Sequence, residues 1–269
     1  MRAIRKAGVT FNVADHDEYS AFWGWYETDD WEPETVAVFT RFLRPNTRYV
    51  DLGAWIGSTV LLAAPLVSRI VCVEPDPLAF AALSENLALN PEVMEKTTAV
   101  QAAVGATDGS VILTSAGRGG DSNSSVARAG DTGARWETEQ VSLATLLSRT
   151  ALEPPDFIKV DIEGAEYDLL STLPVQPLNQ PPTLYVALHP NLLVDKRSLA
   201  TRISSSMRAL RANRRFLRAL LQYRHHYVYD EKKRELRDIR SRNVLRVLLP
   251  LPLRVSFLVG ACVFTNESL

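Results

Sequence analysis

A chain of 269 residues suits one large α/β domain with decoration and is short for two full-size enzyme domains. An apolar fraction of 46% with 23% charged residues excludes a largely disordered chain. Two cysteines exclude a disulfide framework: Cys72 and Cys262 each sit in an apolar run, the setting of a buried free thiol in a reducing, cytoplasmic compartment. The net charge of −1 conceals an asymmetry, because 17 Lys/Arg face 5 Asp/Glu between Asp195 and Arg254, an excess of 12 that leaves −13 on the remainder.

In chain order, Met1 to Lys6 lacks the apolar core of a signal peptide. Aromatics crowd the stretch from Phe22 to Trp31, and a helix is predicted from Pro33 through Val36, Phe39 and Leu43, ended by Pro45 and Asn46. A strand then runs into Asp51, a turn with Gly53 and Gly57 follows, and the helix opening at Ser58 meets Pro65, so it is short or kinked. The next strand, Ile70 to Val73, ends at Glu74; Asp76 caps a helix that has Pro77 in its first position. Strands are predicted over 98–104 and 110–114, and a long Gly/Ser/Asp/Asn-rich loop over 117–133 includes Ser122 to Ser125. The stretch from Gln140 leads into a short helix. Phe157 to Asp161 reads as a strand, a helix follows through Leu169 and Leu170, and a further strand over 184–188 ends at His189. Apolar residues at helical spacing from Leu199 to Leu221, with Arg202, Arg208, Arg211, Arg215 and Arg218 largely on other faces, predict a basic amphipathic helix. His226 to Tyr229 and 259–265 complete the strands. The apolar stretch 244–264 contains two arginines and two prolines, which speaks against a spanning helix.

Alternating strands and helices, each strand closing on a polar residue, predict a mostly parallel sheet with ligands at its carboxyl edge. Glu74 lies 23 residues after Asp51 at the end of the neighbouring strand, where a carboxylate accepts hydrogen bonds from a ribose diol. A dinucleotide needs its pyrophosphate cradled by three glycines, whereas here two glycines follow an acid. Asp51 would repel a phosphate and attract the amino group and sulfonium of S-adenosylmethionine.

Three motifs, Asp51-Leu52-Gly53-Ala54-Trp55-Ile56-Gly57, Val73-Glu74-Pro75-Asp76-Pro77 and Phe157-Ile158-Lys159-Val160-Asp161-Ile162-Glu163-Gly164-Ala165-Glu166, together resemble the FkbM-type S-adenosylmethionine-dependent methyltransferases. Trp31 to Glu34 and the Leu188-His189-Pro190 strand end are similar to the family as well. The resemblance implies an α/β, class I methyltransferase (Rossmann-like) fold, a seven-stranded, mostly parallel sheet with helices on both faces and the last strand antiparallel. It also implies O-methylation of a hydroxyl on a sugar, glycan or related natural-product metabolite. Residues 1–45 are then expected as a lid or buttress and 46–269 as the methyltransferase domain, with the basic helix as an insertion at about 195–224. Two positions depart from the family: Trp55 stands where Asn is usual and Ala144 where Asp is common.

Asp51, Gly53, Ala54, Gly57, Glu74, Pro75, Ala103 and Asp161 are the expected cofactor contacts. An acceptor hydroxyl must lose its proton, and His189, Asp161 and Glu163 are the candidate catalytic groups, with His189 preferred because an unperturbed imidazole titrates nearest neutrality. The same three side chains form a conceivable divalent-metal set. That reading ranks lower, since Glu163, two residues from Asp161, is expected to point away and no fourth ligand can be named. Lys159 is a minor candidate. The basic helix suits an anionic substrate, peripheral membrane contact or plain solvation; nucleic acid is not an expected partner. The alternative from another class is a non-catalytic module of the same fold docking on an anionic membrane or partner, and a third reading is a nicotinamide-dependent oxidoreductase.

Overall fold

The computed structural model describes residues 1–115, 118–120, 133–152, 154–163, 165–172, 181–189, 220, 222–238 and 261–269. The loop containing Ser122 to Ser125, nearly all of the basic helix expected over 198–222 and the apolar stretch 244–260 lie outside these residues. Among the described residues no helix is long and apolar enough to cross a membrane.

The chain begins with a hairpin, β1 (Arg2–Lys6) against β2 (Val9–Val13), turned through Ala7 and Gly8 at φ +47° and +80°. Two left-handed residues give the turn whose twist matches its strands, but only Gly8 signals it in the sequence. Helix α1 (Asp17–Tyr26) buries Tyr19, Trp23 and Tyr26 at helical spacing, and α2 (Pro33–Phe42) starts at the proline as expected. Neither the hairpin nor α1 is expected from the sequence; of the aromatic run, Trp23 and Tyr26 form the inward face of α1 with Tyr19, Trp31 is buried beyond its end, and Trp25 is exposed.

The cofactor-type unit follows the predicted order. Strand β3 (Arg48–Leu52) leads through the glycine turn to α3 (Ser58–Ala63), which tightens into a 3₁₀ turn at Pro65; β4 (Arg69–Val73) and α4 (Pro77–Ala88) come next. Asp76 caps α4 by accepting the N–H groups of Leu78 and Ala79. A short α5 (Pro91–Met94) precedes β5 (Thr97–Val100). The single strand expected over 98–104 is two strands. The Glu74 N–H closes on the Val100 carbonyl, after which the chain leaves the main sheet, and β6 (Ala103–Gly105), β7 (Gly109–Thr114) and β8 (Arg135–Ser142) form a small separate sheet in the order β6-β8-β7. Val104, Leu113 and Val141 turn inward from it. Helix α6 (Leu143–Thr150) is capped by Ser142, whose hydroxyl accepts the Thr145 N–H while Asp108 braces both residues.

Strand β9 (Phe157–Val160), helix α7 (Glu166–Ser171), β10 (Thr183–Ala187), β11 (His225–Asp230), β12 (Glu235–Asp238) and β13 (Ala261–Thr265) complete the described elements. The main sheet runs β12-β11-β13-β10-β9-β3-β4-β5. The five strands from β10 to β5 are parallel, and β13 is antiparallel between β10 and β11. This is the doubly wound class I arrangement. Among the described residues it has eight strands rather than the expected seven, because β11 returns as a hairpin to add β12 at the edge.

The central strands are buried on both faces, as parallel strands between helical layers must be. Tyr49, Ile70, Cys72, Phe157 and Tyr185 point into one core with Trp23, Tyr26, Phe39 and Val60; their neighbours Val50, Val71, Val73, Ile158 and Val186 point into the other with Leu146, Leu169 and Leu170. Both cysteines are buried free thiols. The N-terminal segment is tied across to α4, where Asn86 Oδ1 accepts the Ala14 N–H and Asn90 exchanges hydrogen bonds with the Asn12 backbone.

Asp76 carries two jobs: besides capping α4, its Oδ2 accepts the Gly120 N–H at 2.8 Å. An Asp76→Ala variant is expected to lose about 1–2 kcal/mol in urea unfolding, while Asp76→Asn, which keeps the capping oxygen, retains most of it. An unchanged midpoint for the alanine variant contradicts the assignment.

Candidate active site

At the carboxyl end of β3 the backbone must pass under the start of the β9–α7 connection. Gly53, at φ +85°, makes this passage: a Cβ there would stand 1.8 Å from the Asp161 carbonyl oxygen. Gly57, at φ +91°, lets the Leu83 side chain approach to 2.8 Å of where its own Cβ would be. Between these glycines Trp55 adopts φ +48°, a costly conformation for a bulky residue. Its N–H donates to Glu74 Oε2 at 2.8 Å, its indole N–H donates to the Gly120 carbonyl, and its ring packs edge-on to Phe22 of α1 at 4.5 Å. Trp55 is therefore a wall between the turn and the N-terminal helix.

Above this turn lies a cavity of about 580 Å³, a size typical of small-molecule sites. Gly53, Ala54, Glu74, Pro75, Ala103, Asp161, Glu163 and His189 all line it, so the structure brings together most of the residues singled out in the sequence. Asp51 and Gly57 are the exceptions. Asp51 is fully buried behind the wall, its Oδ2 accepting the hydroxyls of Tyr49 and Thr59 and its Oδ1 3.4 Å from the Lys159 ammonium. The Asp51 charge is thus balanced internally by Lys159 and not offered to a cationic ligand as expected, because the side chain of β3 at this register points into the core. Gly57 acts on backbone packing alone.

Lys159, on β9 and 4% exposed, lies 3.4 Å from Asp51 and 3.3 Å from Asp161. Burial alone would lower its pKa, but Asp51, Asp161 and Glu32 outweigh that and raise it, so the ammonium stays charged. Glu74 accepts the N–H groups of Trp55 and Asp76 on separate oxygens. Burial pushes its pKa up to about 7, against the lowering effect of those hydrogen bonds.

His189 follows β10. Its Nδ1 lies 2.8 Å from Oε1 of Glu166, a carboxylate with no solvent exposure, and its Nε2 stands 3.8 Å from both Asp161 Oδ1 and Glu163 Oε1. Burial lowers the imidazole pKa, yet the Glu166 hydrogen bond and the three surrounding carboxylates raise it to about 9. These carboxylates stabilise the imidazolium, which weighs against the expected preference for His189 as the general base. Glu163 also departs from expectation. Its backbone is at φ +51°, which turns the carboxylate toward Asp161 and His189 rather than away.

Glu32 is the site residue that sequence reasoning passed over. It precedes α2 at φ +35°, lines the cavity, and accepts a hydrogen bond from Thr35, whose hydroxyl also meets the Tyr185 hydroxyl at 2.7 Å. Burial first, and then the charge of Asp161, raise its pKa to about 7. The available signal was an acid immediately before a helix-starting proline, too common to stand out. Trp25, 52% exposed, and Phe22 border the same cavity from α1.

A Gly53→Ala variant tests the close approach. Its methyl group meets a backbone carbonyl that has no side-chain freedom to yield, at a φ that L-residues avoid, so a loss of about 1–3 kcal/mol in unfolding free energy is expected. Wild-type stability in this variant is the contrary result.

No curated protein matches the chain. Among solved structures it is similar to a methyltransferase FkbM from Methylobacillus flagellatus KT, at 15% identity and a TM-score of 0.45, with 94% of this chain covered. The chain spans 56% of that protein's length. A precorrin-6y C5,15-methyltransferase from Geobacter metallireducens GS-15 is similar at 11% identity and a TM-score of 0.41, with 87% of each chain covered. The family model described as the methyltransferase FkbM domain matches residues 51–221, more than half of the sequence. The chain belongs to the FkbM methyltransferase family.

Proposed function

We propose that this chain is an S-adenosylmethionine-dependent O-methyltransferase acting on a hydroxyl of a sugar, glycan or related natural-product metabolite. The observation that carries the reading is the placement of Glu74 beside the Gly53 turn on one cavity with Asp161. The residues present suit the cofactor. Each Glu74 oxygen accepts one backbone N–H and retains lone-pair capacity for a ribose diol. Gly53 and Ala54 put turn backbone on the cavity wall, and Glu32, Asp161 and Glu163 give that wall a negative character that favours a cationic ligand.

When bound, S-adenosylmethionine supplies an electrophilic methyl group on a sulfonium. The chain's contribution is to hold the acceptor oxygen in line with that methyl, a proximity effect worth up to roughly 7–11 kcal/mol in favourable systems. The acceptor hydroxyl would have to give up its proton as it takes the methyl group, and a carboxylate on the cavity wall would receive that proton. Glu32 is the group in place for this, held by Thr35 at the cavity wall. Trp25 at the mouth offers an exposed ring on which a sugar face can lie. The two buried thiols suit a reducing compartment such as the cytoplasm.

Calorimetric titration with S-adenosylhomocysteine is the direct test. Binding by the intact protein, weakened at least tenfold in Glu74→Ala, is expected; absence of binding by the intact protein sinks the cofactor assignment. The pH dependence follows from Glu74. A carboxyl raised from 4.5 to about 7 favours folding while protonated, so its contribution to stability is complete below about 4.5 and is lost as pH rises through 7. Ionisation at the same time creates the acceptor for the diol, so S-adenosylhomocysteine affinity should rise between pH 6 and 8 in the wild type and lose that rise in Glu74→Gln.

Labelled S-adenosylmethionine with carbohydrate acceptors tests the reaction. Trp25→Ala is expected to raise the acceptor KM several-fold with kcat little changed, and cofactor binding without any labelled product favours the binding-module reading instead.

A further inference from the structure

Asp161, Glu163 and His189 each offer a ligand atom, and these atoms lie within 4.8 Å of one another on the cavity wall. We infer that they form a divalent-cation site of borderline hardness, suited to a Mn²⁺-class ion, with Glu166 as the positioning residue behind the imidazole. Cation binding follows from the geometry alone; a role for the ion in orienting the acceptor hydroxyl rests on the methyltransferase reading.

The arrangement of His189 carries the inference. Its Nδ1 is committed to a fully buried carboxylate at 2.8 Å, which fixes the ring and aims Nε2 at the other two acids. A metal-binding histidine is typically held in this way, by a carboxylate on its second nitrogen. Nε2 then stands 3.8 Å from Asp161 Oδ1 and 3.8 Å from Glu163 Oε1, beyond hydrogen-bond reach. Ligand atoms bound at about 2.0–2.2 Å stand roughly 3.0–3.4 Å apart around an ion. Rotations that shorten these separations by about half an ångström therefore convert the gap into a coordination edge. The residues come from two separate connections, after β9 and after β10, and Glu163 reaches the cluster only through a left-handed backbone. The three side chains are 29%, 18% and 29% exposed, open enough for an ion to enter.

Two carboxylates with one imidazole mix hard and borderline donors, which favours Mn²⁺, Fe²⁺ or Zn²⁺ over Mg²⁺ or Ca²⁺. An ion held by all three ligands borders the cavity in which the acceptor is placed. There an oxygen pair on the substrate, such as a vicinal diol or a hydroxy acid, can complete its coordination.

The test is titration of the chelator-treated full chain with Mn²⁺, followed by the paramagnetic resonance signal of free aqueous Mn²⁺. One equivalent bound per chain is expected, weakened at least tenfold in His189→Ala and in Glu163→Gln. Glu166→Gln should weaken it about 10- to 100-fold through loss of ring positioning. S-adenosylhomocysteine titrations of the same proteins separate the two proposals. Mn²⁺ binding that survives alongside absent cofactor binding supports the cation site while the cofactor reading falls. Normal cofactor binding without stoichiometric Mn²⁺ binding overturns the cation site, leaving an imidazolium held by carboxylates. Equal Mn²⁺ affinity in wild type and all three folded variants overturns it too. Should His189→Ala not fold, His189→Asn and Glu163→Gln carry the comparison.

Discussion

The structure turns on one buried ammonium. Lys159, in the centre of the sheet, neutralises Asp51 on the strand beside it and Asp161 at the end of its own strand, and lies 3.5 Å from the Gly53 carbonyl. Among the described residues no hydrogen bond reaches Asp51 Oδ1, so the ammonium is what balances that charge. Removing one partner of such a buried pair costs about 3–5 kcal/mol, a sizeable part of the roughly 5–15 kcal/mol that holds a domain together. Two strands and the glycine turn are thereby locked in register at the point where the cavity begins.

That lock also sets the sign of the cavity. With Asp51 consumed internally, Glu32, Asp161 and Glu163 present their charge to the open space, and the buried lysine tempers it from beneath. By Coulomb's law a wall of this sign attracts cations and opposes phosphates. The same acids that would recognise a sulfonium surround His189 and, with no cation between them, favour its protonated form.

Much of this was legible in the sequence wherever local chemistry is decisive. Gly53, Asp76 before Pro77 and the apolar parallel strands each have one dominant reading, and the structure follows them. The hairpin through Ala7 and Gly8 was not legible because Ala7 is an unusual residue for a left-handed turn. Helix α1 was hidden because its aromatics serve the core, and composition does not distinguish buried rings from a surface lid. The break between β5 and β6 depends on which sheet wins the backbone after Val100, a tertiary choice. In the site, sequence placed Glu74 and Asp161 on the cavity but could not show that the Asp51 side chain faces inward, that Glu163 bends back, or that three acids surround His189. Those are facts of direction, and spacing along the chain carries none of them.

The ties between the N-terminal segment and α4 bear on how the protein is made. Asn90, which receives the Asn12 backbone, lies 78 residues further along. At a synthesis rate of about 5–20 residues per second, the aromatic face of α1 waits several seconds for the helix and turn it packs on. During that interval Trp23, Tyr26 and Trp31, all destined for the core, can pack only on one another and on Phe11 of the hairpin, so part of their apolar surface stays open to water.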